Sequence, residues 1–545
     1  MAVRSSFDVV VVGGGIAGSV LAGVLARSGV QVLVAEKERR FRDRIRGEST
    51  YPWGVAEAAR LGVGAVFEQA GAVELVGMRV YEAREPVQTD RWAASSLDGW
   101  NEAGFPHPRL QEAAFCWAAS MGAAVRRPMK VTGFSGGGVA TVTVTCNGRL
   151  EQVQARLAVG ADGKMASTRR WTGGQSAADP EHHRFGGVAV SGVRTDDRDT
   201  DNLAGIPGLG VNWFAQGAET TRLYLNMTYQ QLRASRADRS FDALIAVAAK
   251  YMPEGALDGV RQEGPIGFFS NADTWATQIA GHDVVLIGDA AGSLDPTQGL
   301  GTSQLFRDVR ELSDLLLCDD DWPAAIREYA ERRKRYFAVL RQYDLWRNII
   351  DMDASEAADR LREGNKAAAE ADPTLGGFAL IEARGPNGLV ADASARAAYF
   401  GTTLVPKRSV DQSLPLTRGT VFWHRQGHPG GRVVRARRIL RRRRTRRCGY
   451  TRATHMLLVV HGWLPWRLWT FLDDAHSRGA LRQAGTQGVG KVLTGGCLGR
   501  GGGLAGVCGG LGVCAADLGR VFASGQAAVP APDFASVCGG LCAEG

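Results

Sequence analysis

The sequence predicts an α/β fold in which one parallel sheet is assembled from distant parts of the chain, with a second sheet inserted between those parts and helices closing the body. Three apolar runs predict it. Phe7 to Val12 opens into a cluster of glycines, Val153 to Val159 ends in Gly160-Ala161-Asp162-Gly163, and Val284 to Ile287 ends in Gly288-Asp289. Continuous apolar, β-branched runs of this length suit strands covered on both faces, as parallel strands are.

The first run delivers Gly13-Gly14-Gly15-Ile16-Ala17-Gly18, a G-x-G-x-x-G turn. Gly13 permits the tight turn, Gly15 lets backbone approach a pyrophosphate, and Gly18 lets helix pack on strand. The helix begun by Ile16 and Ala17 aims free N–H groups and a positive dipole end at phosphate. Gln31 to Ala35 forms the next strand, and Glu36 ends it 18 residues after Gly18, with Lys37 following. A carboxylate there accepts hydrogen bonds from ribose hydroxyls and repels a 2′-phosphate. Gly501-Gly502-Gly503-Leu504-Ala505-Gly506 fits the same pattern, but it follows no apolar strand and has Ser524 where the acid belongs, so it reads as low-complexity coincidence.

The third run completes the set. Asp289 follows the first glycines by some 270 residues, and Pro296, Gly299, Leu300 and Gly301 follow it at spacings that open a helix. Together with Asp162 and with Arg169, nine residues after Gly160, these turns resemble the paired DG and GD motifs of class A FAD-dependent monooxygenases, the para-hydroxybenzoate hydroxylase-like group. The resemblance covers roughly residues 5–345. It implies a Rossmann-like FAD-binding domain of the discontinuous GR2 type with an inserted antiparallel β-sheet substrate domain and C-terminal helices. It further implies that Asp162 lies near the pyrophosphate and the nicotinamide path, and that Asp289 binds the ribityl hydroxyls of FAD. Arg46, in Arg44-Ile45-Arg46-Gly47, looks like the arginine beside the isoalloxazine, and Arg109, in His107-Pro108-Arg109-Leu110, like the helix-borne arginine on the cofactor. A lone arginine near a helix is as readily a solvated surface residue, and both positions carry both readings. Two departures stand out: Ala166 takes the place of a serine, with Ser167 one position later, and Gly292 replaces a histidine, which is expected to open space near the flavin edge.

No second nucleotide-binding turn is convincing, so the resemblance implies a flavin reduced by NADH or NADPH without a separate nicotinamide domain. It implies hydroxylation of a small aromatic or polyketide-like molecule with molecular oxygen, through a flavin C4a-hydroperoxide, the protein supplying orientation and dryness. The helix from Gly299 to Thr302 should face the flavin pyrimidine edge, where its free N–H groups stabilise negative charge. No side chain announces itself as a catalytic base or a metal ligand. Phe185 to Tyr229 alternates as strands that roof a pocket, with Trp213, Tyr224 and Phe268 as lining or as core. Gly47-Glu48-Ser49 with Pro52 also resembles a segment of flavin-dependent halogenases and geranylgeranyl reductase-like proteins. A halogenase needs a Trp-x-Trp-x-Ile-Pro segment, and this chain has none. Halogenation, double-bond reduction and a non-catalytic FAD-binding paralogue remain the alternatives.

The 545 residues allow two or three domains. The expected organisation is a first part of the FAD-binding domain over 1–180, a substrate-domain sheet over 181–275, the second part over 276–345, a helical segment over 346–403 and a tail over 404–545. The tail carries 19 Arg and 2 Lys against 6 acidic residues, or +15, so the body carries 9 − 15 = −6 and is not expected to bind nucleic acid. Ten arginines crowd into 432–447, and Gly, Ala and Cys dominate from Gly485. An anionic-surface patch, a cysteine metal site and unselected translation of GC-rich DNA are the competing readings of a tail expected to be disordered. Met456 to Leu472, the longest apolar stretch, is broken by His461, Pro465 and Arg467, so no membrane span is expected. The direct entry into a strand at Phe7 and three body cysteines (Cys116, Cys146, Cys318) suit a cytoplasmic protein. The sequence carries no signal for oligomeric state.

Overall fold

The structure, a computed structural model, describes residues 6–45, 47–195, 198–376, 378 and 380–402. Arg46 and the whole basic tail lie outside the described residues.

The α/β architecture is the one the sequence predicts. Ser6–Val12 pairs in parallel with Val32–Ala35 on one side and with Arg149–Gly160 on the other. Ala124–Arg126 extends the sheet beyond Val32–Ala35, and Val284–Leu286 adds to Arg149–Gly160, both again in parallel. The register brings Val12 opposite both Ala35 and Gly160, and Gly160 opposite Leu286, so all three turns leave the same end of the sheet. Ligands of open parallel sheets bind at that carboxyl end.

Both faces of these strands are covered, which explains their unbroken apolar sequence. Val9, Val11, Val34, Leu157 and Val285 pack beneath helices that include Ile16–Arg27, His107–Ser120 and Leu300–Cys318. Val10, Leu33, Ala158 and Val284 turn the other way, onto Met129, Val142 and Val144. Those last residues belong to Met129–Ser135 and Ala140–Cys146, which form an antiparallel meander with the long strand Arg149–Gly160.

The second sheet has eight strands, running from Arg261–Gln262 through Arg184–Ser191, Thr220–Met227, Leu209–Ala215 and Thr200–Ile206 to Gly77–Glu82 and Glu85–Arg91, with Gly267–Ser270 also on Arg184–Ser191. It is antiparallel except where Thr200–Ile206 lies parallel to Gly77–Glu82. Period-two alternation divides its residues. Val188, Val190, Val211, Trp213, Leu223 and Leu225 face a core completed by Leu232, Leu244 and Val247 of two short helices. Phe185, Phe214 and Tyr224 face the other way, against Ile45 and Leu75. Trp213 is therefore core, Phe268 packs against the same core, and Tyr224 alone of the three aromatic candidates is on the face turned to Ile45 and Leu75.

Beyond the second half of the parallel sheet, Trp322–Met352 forms a 31-residue helix, followed by Glu356–Ala371, Ile381–Arg384 and Ala393–Tyr399. No helix among the described residues is long and apolar enough to cross a membrane.

Candidate functional site

The three turns touch one another. Gly13 has a left-handed φ of +105°, and a Cβ there would stand 2.5 Å from the Ala161 carbonyl oxygen, so the glycine turn rests directly on the DG turn. At Gly18 a Cβ would run into the Gly13 carbonyl, which is the close helix–strand approach the motif requires. Gly288, at φ +56°, lies against Ala17 and Leu305, each within 3.7 Å of a Cβ built on it. Arg169 clips the set together: its Nε donates to the Ala290 carbonyl at 2.9 Å and its Nη2 to the Asp289 carbonyl at 2.8 Å.

Open space and free polar groups lie between these contacts. A Cβ on Gly15 would meet only Gln111 Nε2, at 3.7 Å, and one on Gly301 nothing within 4 Å. Helices Ile16–Arg27 and Leu300–Cys318 both begin at glycine without a side-chain cap, leaving first-turn N–H groups for a ligand. The half-buried Asp289 carboxylate accepts no hydrogen bond among the described residues. The side chains of Ile16 and Leu300 are buried, so only their backbone is available. Pro296 starts a single tight turn that Asp295 caps by accepting the Thr297 N–H at 2.9 Å, and Gly299 follows at φ +64°. Uncapped helix ends, bare glycine backbone and an uncommitted carboxylate form the donor and acceptor set that a pyrophosphate and a polyol demand.

Two acids are already committed. Glu36 Oε2 accepts the Gly14 N–H and Oε1 the Glu38 N–H, both at 2.7 Å. Asp162 accepts the Ser167 N–H at 2.6 Å, the Ser167 hydroxyl at 3.1 Å and the Thr168 hydroxyl at 2.5 Å. Ser167 thus supplies the polar contact that Ala166 cannot.

The helix His107–Ser120 places its residues differently from the sequence expectation. At 100° per residue, Arg109 points opposite to His107 and Gln111, and it is exposed. His107 Nδ1 donates to the Gly47 carbonyl at 2.6 Å, and Gly47 also lies beside Thr302. His107 and Gln111, not Arg109, stand at the glycine turns. Gly292 opens no space either, because Phe337 of the long helix fills it, 2.9 Å from a Cβ built there.

Loop 43–49 is pinned between the two sheets. Ile45, a β-branched residue at φ +59°, is buried beneath the second sheet. Arg222 bridges Asp43 and Glu48, and Tyr224 donates its hydroxyl to Glu48. Burial raises the Glu48 carboxyl above its ordinary range, with Arg222 and Tyr224 opposing, and burial beside Glu48 pushes the Tyr224 hydroxyl well up. Behind the GD turn, Asp308 accepts the Gly288 N–H at 2.8 Å and Arg333 Nε at 2.9 Å, although burial raises its carboxyl.

Lys37 is exposed and lines a cavity of about 660 Å³ with Arg39, Arg40, Arg42, Lys130 and Glu38. Glu38 pairs outward with Arg44 at 3.2 Å, and none of the five cations has an ion pair among the described residues.

His182, His183 and Asp295 bring ligating atoms within 4.8 Å of one another, the one such group among the described residues. The Asn271 amide nitrogen stands 2.8 Å from Asp295 Oδ2 and 3.2 Å from His183 Nδ1, so a hydrogen-bond donor holds the centre where a metal would sit.

The rifampicin monooxygenase of Streptomyces venezuelae is 27% identical over 343 residues, 58% of this chain, and the chain spans 65% of that relative's length. The menaquinone reductase of Mycobacterium tuberculosis is 27% identical over 365 residues, 63% of this chain and 85% of the relative. The crystal structure of p-nitrophenol 4-monooxygenase from Pseudomonas putida superposes with a TM-score of 0.57 at 19% identity, covering 66% of this chain and 93% of that one, a likeness of fold. The sequence pattern of the family described as FAD binding domain matches residues 6–342, more than half of the chain. The chain belongs to this FAD binding domain family, as its resemblance to class A flavin monooxygenases implied.

Proposed function

We propose that the protein is an NAD(P)H-dependent monooxygenase that holds FAD across the three turns and hydroxylates a small molecule with molecular oxygen. The observation that carries this reading is the uncapped helix Leu300–Cys318 opening beside bare Gly301 and the uncommitted Asp289 carboxylate. In it, Gly13, Gly15 and the N–H groups of Ile16, Ala17 and Gly18 hold the pyrophosphate, and Glu36 meets the adenosine ribose. Asp289 takes the ribityl hydroxyls, Asp162 fixes its own turn against the pyrophosphate, and Gly288 lets the chain pass close to Ala17. Pro296 and Gly299 shape the turn, and Leu300 and Gly301 present backbone N–H groups to the pyrimidine edge, where they stabilise negative charge electrostatically. Bound FAD supplies two-electron transfer from the reductant and activation of oxygen. His107 and Gln111 flank the ribityl path, and Tyr224 with Glu48 roofs the reacting end.

The reductant is NADH or NADPH. The cavity lined by Lys37, Arg39, Arg40, Arg42 and Lys130 supports a phosphate-bearing one, since five unpaired cations in a concave surface attract anions. An absorption spectrum of the purified protein, then anaerobic titration with each nucleotide, tests the reading. Oxidised-flavin bands that bleach on addition of NADH or NADPH, with reduction accelerated by substrate, support it. Colourless protein that refuses added FAD sinks it.

Reduction of the substrate in place of hydroxylation is the second reading, favoured by the menaquinone reductase match over 85% of that relative. It differs in consuming no oxygen, so product formation under anaerobic conditions separates the two.

A further inference from the structure

The hydroxylation proposed above consumes one solvent proton per turnover. Substrate R–H, O2, NAD(P)H and H⁺ give R–OH, H2O and NAD(P)⁺: the hydride and the C–H bond supply two electrons each, and oxygen accepts four. A site that excludes water needs a route for that proton.

A chain of hydrogen bonds leads from the surface to the turn before helix Leu300–Cys318. His182 is exposed, whereas His183 is buried. His182 Nδ1 lies 2.6 Å from His183 Nδ1, and His183 Nε2 lies 2.7 Å from Thr297 Oγ1. Thr297 lies in the tight turn Pro296–Gln298 that precedes helix Leu300–Cys318. An imidazole accepts a proton on one ring nitrogen and releases another from the second, so the two rings in series connect solvent to Thr297. Buried Asp295 Oδ2 stands 3.4 Å from His183 Nε2 and balances the charge of a transient imidazolium.

We propose that His182, His183 and Thr297 form a proton path from solvent to the Asp295–Gly299 turn, with Asp295 as the positioning residue for His183; this rests on the monooxygenase reading. The path is built rather than incidental. Asn271 Oδ1 accepts the backbone N–H of His183 at 3.2 Å, and its Nδ2 donates to Asp295 at 2.8 Å. Asn348 of the long helix donates to the same carboxylate oxygen at 3.0 Å. The charged and titratable groups around the imidazoles are Glu181 and Arg184 on their own segment, Asp179 and Asp273 paired with Arg341, and buried Asp344 of the long helix. Partial burial lowers the His182 pKa, with His183 adding to the effect and Asp295 and Asp179 opposing it. Burial works against ionised Asp295, but His183, Asn271 and the Thr297 N–H more than offset it and hold the carboxyl below its usual range.

The test uses the FAD-loaded protein and the variants His182→Ala, His183→Asn and Thr297→Val. Anaerobic reduction by NAD(P)H and flavin content are expected to stay at wild-type values. Oxygen-dependent turnover is expected to fall about 10- to 100-fold, with a larger solvent isotope effect and an altered pH profile. Added imidazole should restore His182→Ala, whose side chain is at the surface. Nitrogen-15 NMR of the two imidazoles gives a readout independent of turnover: their titrations should be coupled, and Thr297→Val should shift His183. Wild-type turnover and pH profile in all three variants, or uncoupled imidazole titrations, overturn the path. Stoichiometric zinc bound to the holoprotein and lost in His182→Ala would assign the cluster to metal and also overturn it. Failure of both nucleotides to reduce the flavin would instead defeat the monooxygenase reading, and the NMR result would still decide the hydrogen-bonded path.

Discussion

Gly14 and Glu36 hold each other: the Gly14 N–H donates to Glu36 Oε2 at 2.7 Å, tying the glycine turn to the end of the neighbouring strand. Because Oε1 takes the Glu38 N–H as well, a glutamine at this position can satisfy one donor and leaves the other without its acceptor. A buried N–H without a partner costs about 1–3 kcal/mol. Glu36→Gln is therefore expected to lower both the thermal midpoint and the FAD-to-protein ratio. Unchanged values of both would remove Glu36 from the turn's support.

Asp289 gives the opposite signature. Its carboxylate accepts no hydrogen bond among the described residues, so Asp289→Ala should change apo-protein stability by no more than about 0.5 kcal/mol. FAD affinity should nevertheless fall about 10-fold or more, as loss of a charge-assisted hydrogen bond of about 1.5–3 kcal/mol requires. Flavin retention at wild-type affinity by a normally stable variant would refute its ribityl role.

Helix His107–Ser120 sets up a contrast between neighbours. Gln111→Ala and His107→Ala are expected to weaken FAD retention, and Arg109→Ala to leave it unchanged, because Arg109 lies on the far side of the helix. A larger loss at Arg109, measured as released flavin at matched protein concentration, would reverse this assignment.

That contrast also marks where the sequence stops being legible. The glycine turn, its helix, the second strand and Glu36 lie within about 30 residues of one another, and such local patterns specify a βαβ unit directly. The GD turn and the helix from Leu300 are equally local. The resemblance points to Arg109, whereas Leu110, Ala114 and Ala118 mark the inward face that His107 and Gln111 share. Other features have no local signal at all. Arg222 meets Glu48 across 174 positions, and the space that Gly292 vacates is taken by Phe337 from a helix that only tertiary packing brings near. For Trp213 lining and core stay open in the sequence, because strand alternation reveals two faces without saying which is covered by the helices of Leu232 and Leu244.

Glu311 makes stability depend on pH. It pairs with Arg310 at 2.6 Å and Arg332 at 2.9 Å, and although burial opposes ionisation, Arg310, Arg332 and Arg307 bring its carboxyl down to about 2. A folded-state value below the ordinary 4.5 means that the contribution is complete above pH 4.5 and is lost as the pH falls through about 2. Its upper bound is about 3 kcal/mol. Glu311→Gln should therefore be less stable than wild type in urea at pH 7, with the difference shrinking towards pH 2. A difference independent of pH would show that the ion pairs contribute nothing.

If the cavity beside Lys37 receives the reductant's extra phosphate, as proposed, its cations should separate NADPH from NADH. Glu36 disfavours a 2′-phosphate at its own turn, yet Arg39, Arg40, Arg42 and Lys130 gather positive charge in the cavity beside Lys37. Exposed cations screened by salt are individually weak, but several facing one dianion act together. Arg39→Gln with Arg40→Gln should raise the half-saturating NADPH concentration about 10-fold, or about 1.4 kcal/mol, and change that of NADH far less. The limiting rate of flavin reduction should hold if these arginines act only on the phosphate, and raising the ionic strength should narrow the NADPH difference. Equal effects on both nucleotides, or none on either, would place the reductant's phosphates elsewhere on the surface.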